Sequence, residues 1–254
     1  MPFQADLYYH TYYPEDQDRL PIVLIHGAGG DHLHWPVQLR RLAGYRVYAL
    51  DLPGHGKSSG HGLQRIQDYG TRVLEWWHAV HLPRALVIGH SMGGAIALWL
   101  GVNHPERLRG LGLIGTGARL PVNPVLIAET SQEATFSQAV ERITSWSFSP
   151  ETERKIVELA RERFQEVRPG VLHGDFLACD RYDLREEIEE IKAPSVIICG
   201  EDDRMTPPDY SEALARKLEQ PRLEIIPEAG HMVMIEQPDQ TAEIVSDFAS
   251  ELQS

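Results

Sequence analysis

The chain has 254 residues, 42% of them hydrophobic and 24% charged, which supplies one sizeable core and excludes a disordered or fibrous chain. Lys and Arg number 24 against 37 Asp and Glu, and the resulting formal charge of −13 repels phosphate backbones and anionic headgroups, which argues against nucleic-acid and stable membrane partners. Two cysteines, Cys179 and Cys199, are too few for a disulfide framework and read as buried or half-buried thiols of a reducing compartment; with no basic-then-apolar leader and no long apolar run, the protein is expected to be soluble and cytoplasmic.

Residues 5–13 alternate loosely and are expected to supply an antiparallel edge strand or hairpin. From Pro21 onward, short β-branched runs alternate with longer amphipathic ones, the pattern of βα units around a parallel sheet. Residues 22–26, 45–50, 85–89, 108–114, 195–199 and 223–226 are near-continuous apolar runs, as strands buried on both faces require. Ile66, Tyr69, Val73, Trp76, Trp77 and Val80 recur at helical spacing and predict a helix over 64–80 with one face on the sheet. Residues 95–102 are apolar nearly all round and predict a buried helix that begins directly after Ser91. Between 117 and 190 strand patterns give way to short helical ones, so this segment is expected to be a helical cap inserted within a single domain spanning 1–254. Inside it, Ser149-Pro150-Glu151 has the form of an N-cap, a first-turn Pro and a first-turn acid, opening a helix with Ile156, Ala160, Phe164 and Val167 on one side. A last helix is expected from 238 to about 252, with Ile244, Val245 and Phe248 on its buried face.

The loops after these strands carry the chemistry. In His26-Gly27-Ala28-Gly29-Gly30 the glycines permit a tight turn that aims a backbone N–H inward, which makes Ala28 a candidate oxyanion donor. A dinucleotide cradle would need Gly-x-Gly-x-x-Gly, and Asp31 and His32 follow Gly30 instead. Gly56-Lys57-Ser58 imitates the end of a P-loop, yet Asp51 stands where its first glycine belongs. Gly89-His90-Ser91-Met92-Gly93 falls between a predicted strand and a predicted helix, the context of a nucleophile elbow. Such a turn strains Ser91 and exposes its hydroxyl, and the helix start offers the Met92 N–H where charge would develop on an attacked carbonyl.

A serine hydroxyl needs a base that an acid orients. Gly200-Glu201-Asp202-Asp203-Arg204-Met205-Thr206-Pro207 and Ala229-Gly230-His231 both follow predicted strands, which places an acid and a histidine at carboxyl ends in the chain order Ser91, acid, His231. Of the two aspartates Asp203 is favoured, with Asp202 as the alternative. Among the twelve histidines, His32 and His34 lie two apart without a Cys cluster, a His-Glu-x-x-His or a third ligand at helical spacing, so no metal site is assigned.

Together these segments resemble the α/β-hydrolase superfamily, serine carboxylesterase/lipase-like branch, over residues 20–250 apart from the cap. The resemblance implies an α/β-hydrolase fold, a mostly parallel central sheet with helices on both faces. It implies Ser91 as nucleophile, His231 as general base and then acid, and Asp203 as the orienting acid, because the family's acid sits three residues after the glycine that ends its strand. The N–H groups of Ala28 and Met92 become the oxyanion hole, residues 51–58 a structural landmark, and His90 a packing residue that points away from Ser91.

Ser91 sets the chain apart from epoxide hydrolases and haloalkane dehalogenases, which use aspartate at the elbow. Cofactor-free haloperoxidases and perhydrolases usually carry an aromatic residue where Ala28 stands. Carbon–carbon bond hydrolases of ring-cleavage pathways usually carry Asn in place of His90, and Trp near Met232-Val233-Met234. The implied activity is therefore hydrolysis of a small-molecule carboxylic ester through an acyl-enzyme, with no cofactor. A carbon–carbon bond hydrolase, another activity of the superfamily, or a hydrolase-fold ligand-binding protein are the alternatives. Trp35, Trp146, Phe148, Met205 and Met232 are candidates for an apolar substrate pocket.

Overall fold

Among the described residues eight strands form one sheet: β1 (Phe3–Gln4), β2 (Leu7–Tyr12), β3 (Pro21–Ile25), β4 (Arg46–Leu50), β5 (Ala85–His90), β6 (Leu108–Ile114), β7 (Ser195–Gly200) and β8 (Pro221–Ile226). Their spatial order in the computed structural model, which describes residues 3–12 and 19–253, is β1-β2-β4-β3-β5-β6-β7-β8. Strands β3 to β8 pair in parallel. The edge strand or hairpin expected over 5–13 is a hairpin formed by residues 3–12: Ala5 and Asp6 turn with positive φ between β1 and β2, and β2 lies antiparallel on β4. Tyr13, at the end of that expected strand, lies outside the described residues.

Among the described residues ten α-helices accompany the strands: α1 (Val37–Arg40), α2 (Ile66–Ala79), α3 (Met92–Asn103), α4 (Pro124–Thr130), α5 (Phe136–Ser147), α6 (Arg154–Gln165), α7 (Pro169–Asp180), α8 (Pro208–Lys217), α9 (Val233–Glu236) and α10 (Pro238–Glu251). The two-residue period of a strand sends Val23, Ile25 and Val87 to one face, into a cluster with Trp76 and Trp77 of α2 and Ile96 of α3. Ile22, Leu24, Leu86 and Ile88 face the opposite side, in a cluster with Met234 of α9 and Val245 and Phe248 of α10. Both faces are thus covered, which is why the strands read as continuous apolar runs. Each side chain so buried contributes roughly 1.5–3 kcal/mol of transfer free energy. Strand β8, at the sheet edge, is mostly half-buried. Helix α2 stops where His81 takes a positive φ ahead of Pro83, and the Trp77 indole N–H donates to the Leu82 carbonyl at 2.7 Å.

Between β6 and β7 the chain inserts α4 to α7, which gather their own apolar cluster around Leu126, Phe136, Val140, Ile143, Leu172 and Phe176. The helix expected to open at Ser149 begins instead at Arg154. Ser149 closes a single turn, its carbonyl accepting from Thr152 N–H at 3.1 Å. Its hydroxyl donates to Asp202 at 2.6 Å and its N–H to Glu236 at 2.8 Å, so contacts distant in sequence hold it outside the helix. The half-buried face of α6 is still that of Ile156, Ala160 and Phe164.

Chain order positions the site. Strand β4 lies on one side of β3 and β5 returns to the other, so the topological switch falls between the carboxyl ends of β3 and β5. Among the described residues no helix is long and apolar enough to cross a membrane, and both cysteines are buried and unpaired.

Candidate active site

Ser91 joins β5 to α3 with φ 53° and ψ −115°, a conformation that costs about 1–3 kcal/mol in a residue other than glycine. Its N–H donates to Ile114 O at 2.8 Å and its carbonyl accepts from the Thr116 hydroxyl at 2.9 Å, which holds the strained turn from both sides. A side chain at 93 would put Cβ 2.0 Å from the Ile25 carbonyl, and one at 89 would put it 2.1 Å from the Gly93 carbonyl. Backbone packing therefore demands both glycines of the Gly-x-Ser-x-Gly motif.

Asp203 lies in the loop after β7, where its Oδ1 accepts the N–H groups of Met205 and Thr206, each at 2.8 Å. Its Oδ2 accepts the Thr206 hydroxyl at 2.9 Å and faces His231 Nδ1 at 2.9 Å. Burial pushes this carboxyl up, but the charge and hydrogen bond of His231 and the bonds from Thr206 outweigh it and hold the group below the usual carboxylate range. An ionised Asp203 accepts a hydrogen bond from His231 Nδ1–H, which turns the ring's other nitrogen, Nε2, into the accepting one. Asp202 has other work: it accepts from Ser149, and its N–H donates to Ala229 O at 2.9 Å.

Ser91, His231, Ala28, Met205 and Met232 line one small cavity. Ser91 and Ala28 also open onto a larger one of about 490 Å³, with Trp146 and Met205 in its walls. Met92 opens α3, so its N–H belongs to the donors that a helix start leaves unpaired, and Ala28 N–H has no acceptor among the described residues. Trp35 and Phe148, expected in the pocket, instead lie in the buried apolar cluster with Leu24, Ile88 and Val245, where their rings fill core volume.

His90 also departs from its expected packing role. Its Nε2–H donates to the carbonyl of His231 at 2.9 Å, the two rings are 4.8 Å apart, and it lines the small cavity with Ser91. Burial, and then the neighbouring His231, hold it at about 3, so it remains a neutral support for the backbone of the histidine.

Two further carboxylates, not singled out from sequence, tie the insertion to the loops that carry Ala28 and His231. Asp175 of α7 is wholly buried; its Oδ2 accepts Gly29 N–H and His55 Nε2–H, each at 2.8 Å, and its Oδ1 accepts the Tyr69 hydroxyl. The other nitrogen of His55 donates to Pro53 O at 3.0 Å, so both ring nitrogens face acceptors and the ring is an imidazolium. Burial alone would depress His55, but the Asp175 charge and the bonds to Asp175 and Pro53 raise it. His26 beside it donates from Nδ1 to Gly27 O at 2.7 Å and accepts Leu52 N–H at 3.0 Å on Nε2, a neutral ring that burial and then His55 keep well below its ordinary value. At the other end of the insertion, Glu236 accepts from Ser149 N–H and from Gly230 N–H, each at 2.8 Å, next to His231. A lone acid in the apolar run Val171-Leu172-His173-Gly174-Asp175-Phe176, and another after Met232-Val233-Met234-Ile235, are the signals that could have marked these carboxylates.

The Gly56-Lys57-Ser58 segment turns its donors inward. Lys57 N–H donates to Asp51 Oδ2 at 2.8 Å, the Ser58 hydroxyl to Asp51 O at 2.6 Å, and His32 meets Asp51 Oδ1 through both its backbone N–H and Nδ1.

Comparison with known proteins agrees with this layout. The 3-oxoadipate enol-lactonase 1 of Acinetobacter baylyi (strain ATCC 33305 / BD413 / ADP1) is 29% identical over 238 residues, spanning 91% of this chain and 89% of its own. The 2-hydroxymuconate semialdehyde hydrolase of Pseudomonas sp. (strain CF600) is 29% identical over 254 residues, spanning 91% and 87%. The solved structure of the enol-lactonase from Burkholderia xenovorans LB400 superposes with a TM-score of 0.89 at 26% identity, covering 96% of each chain. A model of the alpha/beta hydrolase family matches residues 22–244, from β3 into α10, and so takes in the elbow, the acid loop and the histidine loop in one register: the chain belongs to the alpha/beta hydrolase family.

Proposed function

We propose that this hydrolase cleaves carboxylic esters of small molecules through an acyl-enzyme, with α4 to α7 acting as a cap over the site. The observation that carries the reading is His231 Nδ1 at 2.9 Å from Asp203, which leaves Nε2 as a base in the cavity that also holds Ser91. Nε2 takes the Ser91 proton as Oγ bonds to the ester carbonyl carbon, and the oxyanion accepts from Ala28 and Met92 N–H. The imidazolium, stabilised by Asp203, then passes that proton to the departing alkoxide. Water, deprotonated by His231, releases the acyl group by the same steps in reverse. The likeness to an enol-lactonase supports the reading, since a lactone is a cyclic ester. The equal likeness to a semialdehyde hydrolase is weighed against His90 and Met232-Val233-Met234, where carbon–carbon bond hydrolases usually carry Asn and Trp.

A fluorophosphonate probe should label Ser91, and p-nitrophenyl acetate and butyrate should turn over repeatedly. Labelling without turnover would move the chain to the ligand-binding alternative. No labelling of Ser91 would refute the serine mechanism.

A further inference from the structure

The cavity of about 490 Å³ beside Ser91 has walls of two kinds. Leu126, Trp146, Phe176 and Met205 make one part apolar, whereas Asn123, Arg204 and Tyr210 bring polar groups to it. Arg204 is the one formally charged side chain among the described residues lining it. It is exposed and has no ion pair or hydrogen bond with a described residue, so its guanidinium is open to a bound group. The Asn123 Oδ1 accepts Val125 N–H at 3.0 Å, which leaves its amide N–H groups free, and the Tyr210 hydroxyl has no described partner. A guanidinium, an amide N–H and a phenol O–H can all donate, and no carboxylate among the described lining residues competes for them. In a chain of formal charge −13 the overall field disfavours an anionic substrate, so a local cation at this cavity is a specific provision against that field.

Arg204 also hangs from a fixed point. It directly follows Asp203, whose Oδ1 holds the next two backbone N–H groups at 2.8 Å, so its reach is measured from the catalytic loop itself. We infer that Arg204, assisted by Asn123 and Tyr210, selects esters that carry a carboxylate on the arm remote from the scissile carbonyl. The inference rests on the ester-hydrolase reading above. An ammonium-bearing ester would meet like charge here, and a purely aliphatic one would leave the guanidinium without a partner.

The test compares 4-nitrophenyl hemiesters of C4 to C6 diacids with the corresponding carboxamides of equal length, after subtraction of spontaneous cyclisation. One charge-assisted contact at a partly open site should favour the carboxylate on the order of tenfold in kcat/KM, chiefly through KM, at one of these lengths. R204Q should lower that ratio to near one and R204K should restore part of it, while circular dichroism checks that each variant is folded. A charge-reversed R204E should prefer the carboxamide. If the wild type hydrolyses both series without preferring the carboxylate at any length, or if R204Q keeps the preference, the assignment to Arg204 is overturned and the ester-hydrolase reading stands. If no ester of either series or of the p-nitrophenyl panel is hydrolysed, that reading falls and this inference falls with it.

Discussion

Replacing Asp175 with Asn keeps the side chain's volume and removes its charge. In the native protein this carboxylate accepts three hydrogen bonds, from Gly29 N–H, His55 Nε2–H and the Tyr69 hydroxyl. An amide has one accepting oxygen, so if that oxygen takes the place of Oδ2 and keeps Gly29 and His55, the NH₂ must face the Tyr69 hydroxyl, which already accepts Leu63 N–H at 2.8 Å. One buried donor is thereby stranded and the imidazolium loses its counter-charge. Breaking a buried pair from one side costs about 3–5 kcal/mol, and the stranded hydroxyl is part of that figure. For a domain of this size each kcal/mol shifts Tm by roughly 2–4 °C, so D175N should melt about 6–20 °C below the wild type.

The pH dependence has a definite sign. His55 is raised in the folded protein, so its stabilising contribution is complete below the unfolded imidazole value of about 6.5 and is lost as pH rises through the raised folded value. The Tm gap between wild type and D175N should therefore be widest at mildly acidic pH and narrow under alkaline conditions. Thermal melts by circular dichroism at pH 6 and pH 9 read both quantities. A gap under 2–3 °C, or one that widens with pH, would refute the charged-pair account.

Five other outcomes are expected. S91A should fold normally and lose on the order of 10⁴-fold or more in kcat on a p-nitrophenyl ester, and near-normal turnover would remove Ser91 from the mechanism. D203N should cost about 10³- to 10⁴-fold, because it disturbs the tautomer that frees His231 Nε2. D202N should cost little, since an amide oxygen can still accept from Ser149; the reverse ranking would exchange their roles. Because a base must be neutral, kcat/KM should rise with pH in one step and then level off; His90, held at about 3, adds no second step near neutrality, so two resolved inflections there would contradict its neutral role. EDTA should leave the rate unchanged, as no group of three His, Cys, Asp or Glu suited to a metal is found among the described residues, and loss of activity restored by Zn²⁺ would overturn that expectation.

What the sequence could disclose follows the range of the forces involved. The parallel strands were legible because burial on both faces turns each into an unbroken apolar run, and the elbow was legible because close backbone contact at Gly89 and Gly93 admits no other residue. Ser149 misled because the cap signature is local, whereas the partners that hold it out of a helix, Asp202 and Glu236, lie far along the chain. Asp175 stood out only as an acid in an apolar run, and its partners were hidden for the same reason: Gly29, His55 and Tyr69 are each more than a hundred positions away. Trp35 and Phe148 show the opposite failure, since aromatic composition cannot tell a pocket wall from core filler.

The bond from Gly29 to Asp175 limits how this enzyme could be remodelled. In many engineering schemes the segment between β6 and β7 would be treated as an interchangeable cassette, swapped to import another protein's substrate range. Here the recipient scaffold presents a buried N–H beside Ala28 and a buried cation at His55, and both await an acceptor from the incoming piece. A transplanted segment with an apolar side chain at the place of Asp175 would leave them unmet, so a successful chimera must either carry a carboxylate in that register or exchange His55 for an uncharged residue at the same time.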